Sequence, residues 1–593
     1  MKRLFTFLAV LMTCALMAQA EHVADGTCGA GGDNLTWSID TNGSSDNYVL
    51  TISGTGDMAN WEDASDEPWF DYQKQIKAVN INEGVTSIGD RAFLFMDNLL
   101  VASIPATVTY IGVFAFQQTG ISSLMVPNSV TTIGKYAFSQ CENLVSCTLP
   151  EGMKEISDGL FWQDTKLQGI TIPESVESIG NSAFCESALS SIIIPKNVSS
   201  IGKNVFSKCN LLTSAVWNAR NCTIPIEDTT IWPPFSSSAT PNFATLTIGP
   251  DVEVITDFLF SYMPLTGSVV VPANVTSIGN QAFRSSSSLE SVTFEGCLTS
   301  VGEYVFYMCS SLKEATFNCG VETMGDGLFY ECSALESVKI AGDVPVIGDY
   351  AFYNCTALKE FEVSGGITSI GVMSFGNCVS LQSFNFPEGL TSIGTNAFVG
   401  CSALGKVILP NSLTTLGMGA FLRCSSLSEV VLSENLTDIP QSAFRNTDIT
   451  SIVIPDNVTS IGETAFADCP ELEEVSIGAG VISIAANVFE NDPKLHIINN
   501  YALDPQTDVD PAAFEGIDKE NCTLYVHAAS EDLYRNSDIW GGFFDNIDVL
   551  DEHEGIESLR ISGDKVRKVM LDGSVYITKP DGTIYNAEGS RLR

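Results

Sequence analysis

One aromatic residue returns along this chain at a nearly fixed interval. Phenylalanine recurs from Phe93 through Phe116, Phe138, Phe161 and Phe184 to Phe206, and again from Phe260 through Phe283, Phe306, Phe329 and Phe352 onward to Phe514. Apart from one gap and the last step, every interval is 22 or 23 residues. A period in this range is the signature of a solenoid, where each repeat touches only its neighbours and the core grows along one axis. The 54 residues between Phe206 and Phe260 are divided by Phe235 into 29 and 25, which reads as one degenerate repeat around 207–247 carrying short insertions. The total is about nineteen repeats, and the period overrides the expectation that 593 residues divide into several ordinary domains.

The pattern inside a repeat says how it folds. In Leu289-Glu-Ser-Val292-Thr-Phe294, the two apolar residues Val292 and Phe294 stand two apart and therefore face one side of a short strand. Proline often closes that strand, as at Pro105, Pro127, Pro173 and Pro195, where no further ladder N–H is required. Val275-Thr-Ser-Ile278-Gly279 returns the chain, its glycine expected at a tight corner, and Ala282-Phe283 fills the interior from the far side. One unit cannot bury its own apolar face, so in-register stacking of many is required, with each spine phenylalanine on the next.

The N-terminus sets the compartment. Lys2 and Arg3 precede an apolar stretch from Leu4 to Met17, and Ala18-Gln19-Ala20 supplies a small-residue cleavage site. Residues 1–20 are read as a secretory signal peptide; a lipid-attachment reading at Cys14 is disfavoured by Thr13 before it. No other apolar run reaches the ~20 residues of a membrane span. A formal net charge of −42 argues against nucleic acid or anionic membrane as partner, while 45% hydrophobic residues argue against disorder as its cause.

Seventeen cysteines in an exported chain invite a disulfide framework. Nine of them, Cys141, Cys209, Cys309, Cys332, Cys355, Cys378, Cys401, Cys424 and Cys469, stand three residues after a spine phenylalanine. That register reads as a ladder of free thiols serving as small buried residues. Cross-rung disulfides and a metal site are the alternatives, the former opposed by the geometry of in-register stacking.

The form Val-Thr-Ser-Ile-Gly-x-x-Ala-Phe-x-x-Cys resembles the BspA-like leucine-rich repeat of bacterial surface proteins, over residues 76–516. The resemblance implies a right-handed superhelix with a parallel β-sheet on its concave face and small β-rich caps at both ends. It also implies adhesion or protein binding as the class of function, without a particular ligand. Residues 21–75 look like the β-rich module that precedes such arrays, with alternation in Tyr48-Val-Leu-Thr-Ile52. Residues 517–550, with Tyr534, Trp540 and Phe544, resemble the closing cap. In residues 551–593, Val575-Tyr-Ile577 and the Asp581-Gly582 turn predict a β-hairpin, which is either a plain accessory hairpin or part of a sorting module that it resembles.

Little here supports catalysis. Histidine occurs only at His22, His496, His527 and His553, so no Ser-His-Asp or Cys-His arrangement fits most of the array. No phosphate-binding loop or EF-hand spacing is found, and no catalytic residue, cofactor or metal is assigned; weak calcium from loop carboxylates stays open. The recognition surface is the outward row of the strands. In the 23-residue register it reads Ser103, Met125, Thr148, Thr171 and Ile193, and further on Thr293, Thr316, Lys339, Glu362, Asn385, Ile408, Val431, Val453 and Ser476. Lys339, Glu362 and Asn385 with the apolar run Ile408, Val431 and Val453 form one candidate partner-binding surface. Trp217 and Trp232, beside Pro233 and Pro234 on the degenerate repeat, form a second, with core packing as its alternative. The expected partner is an extracellular or host protein; glycan binding and a passive spacer are the other readings.

Overall fold

The computed structural model describes residues 20–44, 46–227, 230–550, 567–571, 574–578 and 584–586. The stretch up to Gln19 read as signal peptide, His553 and the expected turn at Asp581-Gly582 lie outside them. Two compact units are present, Met1–Val252 with Tyr262–Pro264, and Glu253–Ser261 with Leu265–Arg593. Each is a parallel-sheet β-solenoid with almost no helix.

Each rung has three parts. A short strand such as Glu314–Phe317 pairs in parallel with Leu289–Phe294 before it and Ser337–Ile340 after it. Its alternation is as expected: Val292 and Phe294 are buried, and Thr293 between them is half-buried. A two-residue return strand follows, and Ser277–Ile278 pairs with Ser300–Val301 in a second parallel sheet. The third part is the turn segment that carries the spine residue. It also bonds to the next rung, with the N–H groups of Tyr304, Phe306 and Met308 donating to Asp326, Leu328 and Tyr330 at 2.8–3.0 Å. The irregular segment thereby satisfies its backbone without regular sheet geometry.

That third ladder has a conformational requirement. The residues two before and two after the spine phenylalanine take left-handed φ, as in Tyr304 (53°) and Met308 (59°) around Phe306. The glycine of the return strand plays a different part from the expected corner. Gly302 has no left-handed φ; a Cβ there would lie 2.6 Å from the backbone nitrogen of Asn280 on the rung before. Its bare Cα permits the close approach of successive rungs rather than a sharp turn.

Stacked spine rings form the core of both units. In the first, Phe161 lies 5.7 Å from Phe184, and Phe206 lies 5.1 Å from Phe235, which takes its place in the spine. In the second, Phe329, Phe352 and Phe375 follow at 5.5 and 5.0 Å. Tryptophan closes each run: Trp69 stacks 5.8 Å from Phe93, and Trp540 lies 5.6 Å from Phe514. Trp69 Nε1 donates to the Ala92 carbonyl and Trp540 Nε1 to that of Gln506, so both indoles are buried with their polar atom bonded.

The ends are built from paired strands. His22–Gly29, Gly32–Thr41 and Tyr48–Gly54 run antiparallel, and the last pairs in parallel with Ile76–Ile81. Thr523–Val526 and Asn546–Val549 continue the parallel sheet of the second unit beyond Ile497–Asn500, with helices Glu531–Arg535 and Trp540–Phe543 between them. Further on, Arg567–Leu571, Ser574–Thr578 and Ile584–Asn586 make a three-stranded antiparallel sheet, one strand more than a hairpin.

The nine ladder cysteines are free and buried. One disulfide does join neighbouring rungs, Cys297–Cys319, from positions off the ladder. The ladder thiols are also more than small apolar filler. Sγ of Cys309, Cys332 and Cys355 donates to the carbonyls of Phe283, Phe306 and Phe329 at 3.2, 3.0 and 3.1 Å. Each thiol thus ties its rung to the spine of the one before.

Candidate functional site

From Thr293 to Glu362 the outward row of the second unit's strands stands in register, rung on rung. Thr293 pairs with Thr316, Thr316 with Lys339 and Lys339 with Glu362. Lys339, Glu362 and Asn385 are exposed, and Lys339 Nζ lies 3.7 Å from Glu362 and 3.9 Å from Glu360. Both partners are more than half exposed, so this pair orients the side chains and adds little stability.

The apolar run follows. Ile408 and Val431 are paired in register and half-buried, and Val453 is 41% exposed. Lys406 and Glu429, two residues earlier on the same strands, form an ion pair at 2.6 Å along one border of the stripe. The next step departs from the expected alternation: Ser476 is buried, 7% exposed. Asn499, its in-register neighbour, donates from Nδ2 to Ser476 Oγ at 3.3 Å and to Glu474 at 2.7 Å. The stripe therefore ends against a polar cluster, with the rings of Tyr501 and His527 6.3 Å apart nearby in the chain.

The first unit exposes apolar residues on its strand face more fully. Met125 is 76% exposed, Val101 59% and Ile193 56%. The sequence placed Met125 and Ile193 in the outward row without singling them out; Val101, which faces outward two residues before Ser103, was missed.

The degenerate repeat divides its two tryptophans. Trp217 is fully buried and meets Phe235 edge-on at 6.1 Å, so it belongs to the core and offers no surface to a partner. The reason is register: Ser214–Trp217 is a regular strand paired with Ser191–Ile194, and Trp217 occupies an inward position opposite Ile194. Trp232 is half-buried, with Lys203 Nζ 5.9 Å above its ring. It lines a cleft of about 140 Å³ with Asn204, Ser207, Pro233, Pro234 and Ser236. That volume is below the ~300 Å³ of an ordinary small-molecule pocket.

The ionisable groups are arranged for structure. Exposed His22 is held toward its charged form by hydrogen bonds first to Asp25 and then to Asp40. His496 Nδ1 lies 2.9 Å from the Lys494 carbonyl oxygen. Burial pushes the thiols of Cys309 and Cys401 up to about 12, far from a nucleophile at neutral pH. Among the described residues, no group of three or more His, Cys, Asp or Glu is placed to hold a metal, and no helix is long and apolar enough to cross a membrane.

Two buried carboxyls stand in the thiol column itself. Asp164 and Asp492 occupy the position three after Phe161 and Phe489. Their Oδ1 atoms accept the backbone N–H of Cys141 and Cys469 at 2.8 and 2.7 Å. Burial drives Asp164 well above the carboxylate range and Asp492 up to about 8.

With this geometry in hand, known proteins offer a reference. The model of the BspA type leucine rich repeat region matches residues 66–168, 154–225, 235–359, 345–473 and 437–524. No curated protein matches. Among solved structures, a leucine-rich repeat protein from Eubacterium ventriosum is 24% identical, with 63% of this chain and 95% of that one covered and a TM-score of 0.28. One from Bacteroides ovatus is 20% identical over 69% and 95%, with a TM-score of 0.33. A leucine rich cell surface protein from Faecalibacterium prausnitzii is 19% identical over 78% and 93%, with a TM-score of 0.21. The family relation rests on the sequence match, which spans more than half of the chain.

Proposed function

Because this chain belongs to the BspA-type leucine-rich repeat family, we propose that it is a secreted or surface-displayed binding protein, without catalytic activity, that holds an extracellular protein partner on its strand face. The observation that carries this is the outward row of the second unit, where Lys339 in register with Glu362 is followed by polar Asn385, then by Ile408 in register with Val431, and by Val453. A flat, parallel row of this kind presents a fixed surface at no ordering cost, and a short apolar stripe beside charged residues is the usual make-up of a protein contact. Export is supported by the N-terminal basic and apolar stretch ending in Ala18-Gln19-Ala20. Residues 551–593 are read as an accessory β module that follows the array.

The test is binding of residues 21–550 to an array of extracellular-matrix proteins and glycans, repeated with Val431→Lys. Saturable protein binding that the substitution weakens about tenfold or more supports the reading, since a charge at the centre of an interface costs on the order of 1.4 kcal/mol or more. Binding confined to glycans would replace it with a lectin-like role, and silence on both with a spacer.

A further inference from the structure

A second set of aromatic side chains lies on the turn segments, away from the strand face. Tyr304 and Tyr307 flank Phe306, Tyr330 follows Phe329, and Tyr350 and Tyr353 flank Phe352. All five rings are half-buried and they touch in sequence: Tyr304 to Tyr330 at 5.9 Å, Tyr307 to Tyr330 at 5.5 Å, and Tyr330 stacked on Tyr353 at 5.1 Å. The core does not require them, because the spine phenylalanines beneath are already continuous.

Two of these rings stand at the turn position that the fold holds in left-handed φ. Tyr304 and Tyr350 have φ of 53° and 55°, at the position where Gly327 and Gly419 stand in other rungs. The same φ occurs at this position beside other spine residues, as at Gln281 (53°) and Asn396 (55°), so it belongs to the turn and not to the rings. Glycines also clear space beside the rings: a Cβ on Gly327 would lie 2.4 Å from the Tyr304 ring, and one on Gly376 2.8 Å from that of Tyr353.

The surface already carries one cation. The Arg284 guanidinium carbon sits 5.1 Å over the ring of Tyr307. The same device recurs in the first unit, where Arg91 sits 5.3 Å over Phe114, which stacks on Tyr136 at 5.4 Å. Carboxylates surround the tyrosines: after burial, Asp326 and Glu303 raise the Tyr304 phenol above its ordinary range, and Glu331 does so for Tyr330. Aromatic faces among carboxylates, on a chain of net charge −42, suit a planar cation that can stack and pair at once.

We propose that the tyrosine surface of Tyr304, Tyr307, Tyr330, Tyr350 and Tyr353 is a second docking site, which takes arginine side chains of a basic protein partner. It is independent of the strand-face contact and stands or falls separately. Arginine is favoured over lysine because its flat, weakly hydrated guanidinium stacks on a ring face, as Arg284 does.

The test measures affinity of the mature chain for synthetic nona-arginine and nona-lysine peptides near 0.15 M salt. Tyr304→Gly with Tyr350→Gly removes two rings at positions where glycine is at home, so the fold should hold, and a thermal melt checks this. Nona-arginine affinity should fall about 5- to 30-fold, the effect of two stacked cations, while nona-lysine changes less than about 2-fold. Tyr304→Phe with Tyr350→Phe should keep wild-type affinity, and Val431→Lys should leave both peptides unaffected. Equal loss for the two peptides, or no loss for arginine, would overturn the proposal. A double-glycine variant that melts early would move the comparison to Tyr330→Leu, with the same outcomes deciding.

Discussion

Six consecutive rungs, from Cys309 to Cys424, carry a thiol at the position three after the spine; at Asp164 and Asp492 a carboxyl stands there instead. The two arrangements satisfy the same neighbourhood by opposite means. In the thiol stretch each Sγ donates to a spine carbonyl of the rung before, and each cysteine N–H bonds within its own turn, as Cys332 N–H does to Phe329 O at 3.0 Å. At the acid steps the carboxyl reaches back and accepts the N–H of Cys141 or Cys469 from the preceding rung. Elsewhere in the column Ser286 donates to Phe260 O at 3.4 Å, and Thr119 and Thr447 contact the next thiols at 3.2 and 3.3 Å. While Met96 and Met263 fill the same position by volume alone, at these rungs the column thus holds a short side chain that bonds to its neighbours, whatever its atom type. Thiol and hydroxyl do this without a charge to lose, while the acid does so only at the cost of being kept protonated.

In each stretch the column lies beside stacked spine rings of its own unit. Phe352→Ala in the thiol stretch and Phe161→Ala beside Asp164 should each cost about 3–5 kcal/mol in chemical denaturation, and a change near zero in either would mean that the column, and not the rings, holds that stretch.

The next largest difference is in pH. Asp492 binds its proton up to about 8 when folded and releases it near 4 when unfolded, so the unfolded state holds fewer protons between those values. Stability from this group is therefore full below about pH 4, falls by at most about 1.4 kcal/mol per pH unit as pH rises toward 8, and is level beyond. Asp492→Asn keeps the acceptor for Cys469 N–H and should flatten that slope, measured as the melting temperature between pH 5 and 9. An unchanged slope would show the carboxyl to be hydrated in the folded chain.

The smallest effect is the sharpest test of what the column wants. Cys355→Ala should cost about 1–2 kcal/mol, from the lost volume and the lost bond to Phe329 O, and Cys355→Ser less, because a serine already makes the equivalent bond at Ser286. Serine costing more than alanine would reduce the thiol to a filler of space.

The spine and the alternating strands were legible in the sequence because both follow from strict periods, one of 22 or 23 residues and one of two. The donor role of the cysteines was not, since it depends on which carbonyl the preceding rung presents. For Trp217 the sequence left surface and core both open, because the insertion after it hid that Ser214–Trp217 is an ordinary strand. Ser476 fits its register, but Asn499 folds over it from the next rung, a side-chain contact that no period encodes. Cys297 and Cys319 fall outside the ladder register, so nothing in the spacing joined them. The tyrosine surface escaped because its members alternate between two positions around the spine, each harmless alone.

The buried thiols carry a consequence of a different kind. Cysteines such as Cys309, Cys332 and Cys401 are fully buried and their thiols are raised far above neutrality, so in the closed rung they are inert both to oxidants and to alkylating reagents. A thiol becomes reactive only when its own rung opens. The chain is thereby marked along much of its length with evenly spaced, silent chemical labels, and the rate at which each one reacts is a clock for the local opening of that single rung.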